Sequence, residues 1–325
     1  MRIDAHLHFV ADHPDFEKLM EELDIKILNL AFHHESEYGD WRLQIDDYRE
    51  AARKLPDRYA WCTSFDLPGF DDPDYADKCI EKLEQDFADG AVGCKIWKSL
   101  GLSFRDPDGE HVKVDHPILQ PIFGYLEKRG KPLVSHIGEP YSCWQPLSER
   151  DPCYQYYKNH PQYHFYGKTD CLTHAEVMNA MDRVVETHPN LRVIGAHLGS
   201  FEYDVAEIAR RFDLYPNFAV DTSARPGYLA LQDRDKVRQF FLKYSDRIIW
   251  GTDGGGRNQS SMSEERRKAQ YNYMRRKYES QFVFYETDEV VNVQNVEAKG
   301  LALPDDVLER FYVTNVRNWF PGLGL

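Results

Sequence analysis

The sequence predicts an α/β fold, a (β/α)8 TIM barrel. Three observations lead there. Eight short apolar runs rich in β-branched and aromatic residues are spaced along the chain, amphipathic segments separate them, and His, Lys and Asp side chains recur in order at the ends of the runs. The runs are residues 2–8, 25–32, 59–65, 91–97, 132–137, 192–198, 218–222 and 247–252. Most are almost continuously apolar, as expected of parallel strands covered on both faces, with helices as the crossovers.

Between the runs, residues 74–89 place Tyr75, Cys79, Ile80, Leu83 and Phe87 three or four positions apart, the stripe that packs a helix against a sheet. Pro14 suits a first helical turn, where its missing N–H loses no bond, and Gly130 suits a helix end in the left-handed region. Two connections are too long for simple turns. They are 138–175 after the fifth run and 254–286 after the eighth, read as long loops of the kind that form lids or binding surfaces.

A chain of 325 residues fits one such barrel, so a single domain over 1–325 is expected. Hydrophobic residues at 42% and charged residues at 29% are those of a globular protein, and no apolar run reaches the ~20 residues that span a bilayer. With no basic and apolar leader ahead of residues 3–6, the expected location is cytoplasmic. The six cysteines form no CxxC pair and are read as reduced thiols. A formal charge of −14 argues against nucleic acid and anionic membranes as partners. That leaves a small-molecule substrate, with assembly into a homo-oligomer open.

Active sites of this architecture lie at the C-terminal strand ends. There the first run carries His6 and His8, the fourth Lys95, the fifth His136, the sixth His197 and the eighth Asp253. Side chains alternate along a strand, so His6 and His8 face one way and Leu7 the other. Imidazole and carboxylate donors suit a divalent transition metal such as Zn, Mn, Fe or Ni, and a catalytic site leaves one coordination position open. The loop after His136 opens with Glu139 and Tyr141, includes Trp144 and is dense in tyrosine, a candidate stacking wall. Trp97 and Lys98 leave the fourth run and Arg225 follows the seventh. Either cation suits a substrate carboxylate. His33 and His34, after the second run, lack the alternation needed to face the site together and are read as loop.

Five segments, Ile3-Asp4-Ala5-His6-Leu7-His8, Val92-Gly93-Cys94-Lys95, Val134-Ser135-His136, Ile194-Gly195-Ala196-His197-Leu198-Gly199 and Ile249-Trp250-Gly251-Thr252-Asp253, resemble the amidohydrolase superfamily. The resemblance is specifically to its aminocarboxymuconate-semialdehyde decarboxylase-like branch, and it implies a barrel of the metal-dependent hydrolase type. Leu303-Pro304-Asp305 through Asn315, and Phe320-Pro321-Gly322-Leu323, extend that resemblance to the C-terminus. It implies that His6, His8, His136 and Asp253 hold a first metal, with zinc the first expectation. It further implies that His197 holds a second metal or acts on substrate, that Asp253 shuttles a proton, and that Lys95 bridges two ions only if carboxylated. A lysine left as a simple amine beside a divalent ion needs a lowered pKa or some separation from it. The activity expected is hydrolysis of an amide, ester or lactone by hydroxide generated at the metal. The alternative is non-oxidative decarboxylation of an unsaturated or aromatic acid. A metal-binding scaffold without catalysis would leave Asp253 and His197 unexplained.

Overall fold

The computed structural model describes residues 1–31, 41–256 and 258–325. Residues 33 and 34, read as loop from the sequence, lie outside the described residues. The eight runs become strands β1 (Arg2–Phe9), β2 (Ile25–Leu30), β3 (Tyr59–Cys62), β4 (Cys94–Ile96), β5 (Leu133–Ser135), β6 (Val193–Gly195), β7 (Phe218–Asp221) and β8 (Ile248–Ile249). Each pairs in parallel with its neighbour within β1–β3 and within β4–β8.

Backbone hydrogen bonds close the two seams that remain. Thr63 N–H donates to Gly93 O at 3.0 Å and Lys95 N–H to Thr63 O at 2.8 Å, joining β3 to β4. Ala5 N–H donates to Trp250 O at 3.1 Å and Asp253 N–H to His6 O at 2.8 Å, joining the end of β8 to β1. The result is a closed barrel with no free edge. Eight helices cover it, one after each strand: Pro14–Glu22, Trp41–Lys54, Tyr75–Ala88, Gln120–Arg129, His174–Thr187, Val205–Leu214, Arg234–Lys243 and Glu264–Glu286. Pro14 stands at the start of the first, and Gly130, at φ 64°, caps the fourth.

The structure departs from the sequence reading beyond β8. The expected long loop at 254–286 is mostly helix. A three-residue strand β9 (Gly254–Gly256) pairs with the end of β1, and the 23-residue helix Glu264–Glu286 follows. Its first half is solvated, and the buried stripe of its second half, Met274, Tyr278, Gln281, Phe284 and Tyr285, contains a glutamine, so the apolar period is weak. A hairpin of β10 (Val290–Val293) and β11 (Val296–Lys299) comes next, also unanticipated. Its two-residue turn is Gln294-Asn295, at φ 48° and 66°, rather than the Asn-Gly that announces such turns. The C-terminal segment seals β8. Phe311 O accepts from Trp250 N–H, and Asn315 Nδ2 donates to Ser245 O and Ile248 O.

The connection after β5 is the irregular excursion expected, broken by a single helix, Tyr154–Asn159, and two short 3-10 turns. No helix among the described residues is long and apolar enough to cross a membrane, and all six cysteines are free.

Candidate metal centre

At the C-terminal mouth of the barrel, β1 is irregular. A three-residue step from Asp4 to Leu7 spans the two-residue step from Ile27 to Asn29 on β2, and the Asn29 amide repairs the ladder by bonding Phe9 N–H and Phe9 O. Within this bulge Asp4 is a buried clamp. It accepts from His6 N–H at 3.3 Å, Thr252 N–H at 3.0 Å, Thr252 Oγ1 at 2.6 Å and Tyr278 Oη at 3.0 Å, tying β1 to the end of β8 and to the long helix. Burial pushes its carboxyl up to about 6 despite those donors.

Three histidines have their Nδ1 committed. His6 Nδ1 lies 2.8 Å from Asp221 Oδ2, His8 Nδ1 lies 2.7 Å from Leu30 O, and His197 Nδ1 lies 2.9 Å from Ser223 O. A carbonyl oxygen or an ionised carboxylate only accepts, so Nδ1 carries the proton in each and Nε2 keeps its lone pair. Asp253 completes the arrangement, with Oδ1 3.3 Å from His8 Nε2 and 3.8 Å from His6 Nε2. Burial lowers His8 to about 4, helped by the charge of Lys95, so at neutral pH a bare nitrogen faces a carboxylate. For Asp253 burial raises the carboxyl, but the His8 contact and the neighbouring histidines prevail and hold it well below the usual range. Donors that face one another without a proton between them suit a cation, and ligand atoms of His6, His8 and Asp253 all lie within 4.8 Å of one another.

A second such group, His6, His197 and Asp221, shares His6. Asp221 was missed in the sequence, although it ends β7 and the same strand-end logic finds it. Its Oδ1 accepts from the backbone N–H of His197 at 2.9 Å and of Ser223 at 3.0 Å, and Ser223 Oγ lies 2.9 Å from His6 Nδ1 and 2.8 Å from His197 Nδ1. Burial opposes the charge on Asp221, yet the His6 contacts outweigh it and its carboxyl is held well down. The backbone here is held in the left-handed region at His197 (φ 59°), Leu198 (φ 59°), Ala224 (φ 53°) and Asp253 (φ 55°), conformations that cost ~1–3 kcal/mol each and persist only where surrounding contacts impose them.

The other expected site residues fall unevenly. Lys95 is at the centre, fully buried, with Nζ 2.7 Å from His6 Nε2 and burial bringing it down to about 8. The lysine therefore meets the condition of a lowered pKa. Trp97 is beside it, its ring centroid 4.9 Å from that Nζ and its N–H donating to Ser64 Oγ. His136 stands edge-on to His197 at 4.3 Å between centroids, and burial together with the charges of His197 and Lys95 lowers its pKa well below the usual imidazole value. Glu139 is buried and engaged by Lys98 and by Tyr157 Oη at 2.9 Å.

Tyr141 and Trp144, the candidates for a stacking wall, each pack against neighbouring rings. Tyr141 lies against Tyr203 and His174, and Trp144 lies against Phe165 and His174 with its N–H on Leu172 O.

Arg225 is buried, its Nη1 on Ala224 O at 2.9 Å and its Nε without a partner. The carboxyl of Glu202 is nearby and fully buried, pushed up to about 7 by that burial against the pull of Arg225. A cleft of 910 Å³ opens at Asp253, walled by Tyr156 from the loop after β5, by Ala224 and Pro226, by the helix Glu264–Glu286 and by the hairpin β10–β11. Gln294 at the hairpin turn fastens these walls, donating to Ala224 O at 2.8 Å and accepting from Gly227 N–H at 3.0 Å.

Residues 3–322 match the family described as Amidohydrolase. No curated protein sequence gives a significant match. Among solved structures, the chain is similar to 2,6-dihydroxybenzoate decarboxylase from Rhizobium at 20% identity, covering 96% of this chain and 88% of that one, with a TM-score of 0.54. It is also similar to a putative amidohydrolase from Staphylococcus aureus at 15% identity (100% and 99% covered, TM-score 0.55). A third likeness is to 4-oxalomesaconate hydratase from Rhodopseudomonas palustris at 14% identity (99% and 96% covered, TM-score 0.52). At these identities the likeness is one of fold, and the reactions named differ.

Proposed function

The chain belongs to the amidohydrolase family, and from that premise we propose that it is a hydrolase of an amide, ester or lactone bond in a small molecule, acting in the cytoplasm with zinc held by His6, His8, His136 and Asp253. The observation that carries this reading is Asp253 itself. Its carboxylate faces the Nε2 atoms of His6 and His8, is held ionised, and opens onto the cleft. A divalent ion, when bound there, supplies Lewis acidity and makes hydroxide accessible at neutral pH. Asp253 takes the proton of the attacking water and returns it to the leaving group. His197, its Nδ1–H fixed on Ser223 O, presents Nε2 to orient water or a substrate hydroxyl. Lys95 Nζ lies 2.7 Å from His6 Nε2, on the lone pair an ion would take, so it would have to withdraw as the ion binds, and burial, which brings it down to about 8, eases the loss of its proton. The hairpin and the loop after β5 restrict bulk water.

A panel of lactones, esters and N-acyl compounds, assayed with metal-loaded protein, tests this. Metal-dependent turnover on that panel is expected. A second reading, non-oxidative decarboxylation, is supported by the likeness in fold to 2,6-dihydroxybenzoate decarboxylase. Carbon dioxide release from aromatic or unsaturated acids, with no hydrolysis on the first panel, would establish the lyase and overturn the hydrolase.

A further inference from the structure

The helix Glu264–Glu286 supplies the cleft with charges that the fold leaves unmatched. Four charged residues line the cleft: Asp253, Arg276, Lys277 and Glu279. Glu279 is already paired with Arg275 at 3.2 Å, and Asp253 faces the histidine nitrogens. Arg276 and Lys277 have no ion pair among the described residues. The ammonium of Lys277 makes one hydrogen bond, to the uncharged backbone oxygen of Asp253 at 3.3 Å, which leaves two of its three N–H donors unspent. Its place is set from below, because the next residue, Tyr278, is buried and fixed by its hydroxyl to Asp4 at 3.0 Å. Lys277 is half-buried at the wall, its Nζ 5.8 Å from the centroid of the Tyr273 ring, also in the lining. On a chain of formal charge −14, two unmatched cations in one concave wall beside a metal centre focus a local positive potential.

We propose that Lys277, assisted by Arg276, is the anion-binding wall of this site and holds a carboxylate of the substrate beside Asp253. The proposal rests on the cleft being the substrate site, as the reading above has it, and it commits the substrate to the class of carboxylic acids whichever bond is cut. Ammonium and guanidinium pair with a carboxylate by charge-assisted hydrogen bonds, which are stronger in a half-enclosed cleft than at an open surface. Arg225 serves a different place. It is not part of the cleft lining, although Ala224 and Pro226 on either side of it are.

Matched probes test it: benzoate against benzamide, and glutarate against glutaramide, titrated into full-length protein by calorimetry or ligand-observed NMR, with and without metal. Benzoate and glutarate should bind wild type tighter than their amides by on the order of tenfold. Lys277→Met should abolish that preference in both metal states while leaving amide binding and metal content unchanged. Lys277→Arg should keep the preference, and Arg276→Gln should weaken it partly. A preference that survives Lys277→Met, or that exists only with metal present, overturns the proposal, as does a wild type with no preference. If Lys277 only braces the backbone at Asp253, Lys277→Met will lower metal content and amide binding together, and the proposal falls. These are binding measurements, so a failure to hydrolyse any compound sinks the hydrolase reading without touching this one.

Discussion

His8 Nε2 stands 3.3 Å from Asp253 Oδ1, while His8 Nδ1–H is already given to Leu30 O at 2.7 Å. A lone pair thus points at a carboxylate, an arrangement a cation relieves. Purified protein should carry transition metal, and the double substitution His6→Ala with His8→Ala should reduce it to background by elemental analysis. Full occupancy in that variant would remove these residues from the site.

Asp253→Asn should lower kcat by ~10²–10⁴-fold, the usual contribution of a positioned acid or base, with little loss of fold by circular dichroism. The side chain is 31% exposed at the cleft and packs no core. Full activity in the variant rules out the proton-shuttling role.

Asp221 orients His6 through Oδ2 and His197 through Oδ1. An asparagine there can present its amide nitrogen to His6 Nδ1 and so favour the wrong tautomer. Asp221→Asn should weaken metal affinity ~10–100-fold in chelator competition. Unchanged affinity would mean that the imidazoles are held by packing alone.

Glu202 is raised to about 7 from 4.5, burial being the largest cause. The unfolded chain loses this proton near 4.5 and the folded chain near 7, so wild type loses stability as pH rises between those values, by ~1.4 kcal/mol per unit at most. Glu202→Gln can still accept from Tyr141 N–H and carries no charge. Denaturant titrations should show the variant gaining on wild type from pH 4.5 to 7, then levelling. A flat difference across that range would show that the carboxyl titrates normally.

Gly251 lies under His6. A Cβ added there would stand 2.8 Å from His6 Cβ and 3.1 Å from His6 N, both backbone-fixed atoms. Gly251→Ala should cost ~1–3 kcal/mol of stability, the range for overpacking a filled core, and should lower metal content as His6 is displaced. Thermal melts of the metal-free protein, with metal analysis alongside, check both. An unperturbed variant would show that β1 yields there at no cost.

How much of this was legible beforehand follows from what each signal depends on. The eight strands were readable because a parallel strand buried on both faces must be almost wholly apolar, as in Leu133–Ser135 and Val193–Gly195, and that is a property of the strand alone. The placing of His6, His8, Lys95, His136, His197 and Asp253 at one end was readable because a barrel sends its strand ends to one place. The long helix after β8 was not, because half of it is solvated and its buried stripe includes Gln281.

The sequence by itself determined the order of strands and which polar residues end them. Only the tertiary structure decided which of those residues face one another. Asp221 was chosen to orient His6 across a separation of 215 positions, Lys277 was brought to Asp253 by the anchoring of Tyr278 on Asp4, and Trp144 was set against Phe165 with its N–H on Leu172 O. The reason is range. Periodicity and strand ends are set by neighbours along the chain, whereas a hydrogen bond or an ion pair is set by distances of about 3 Å between segments that only barrel closure brings together.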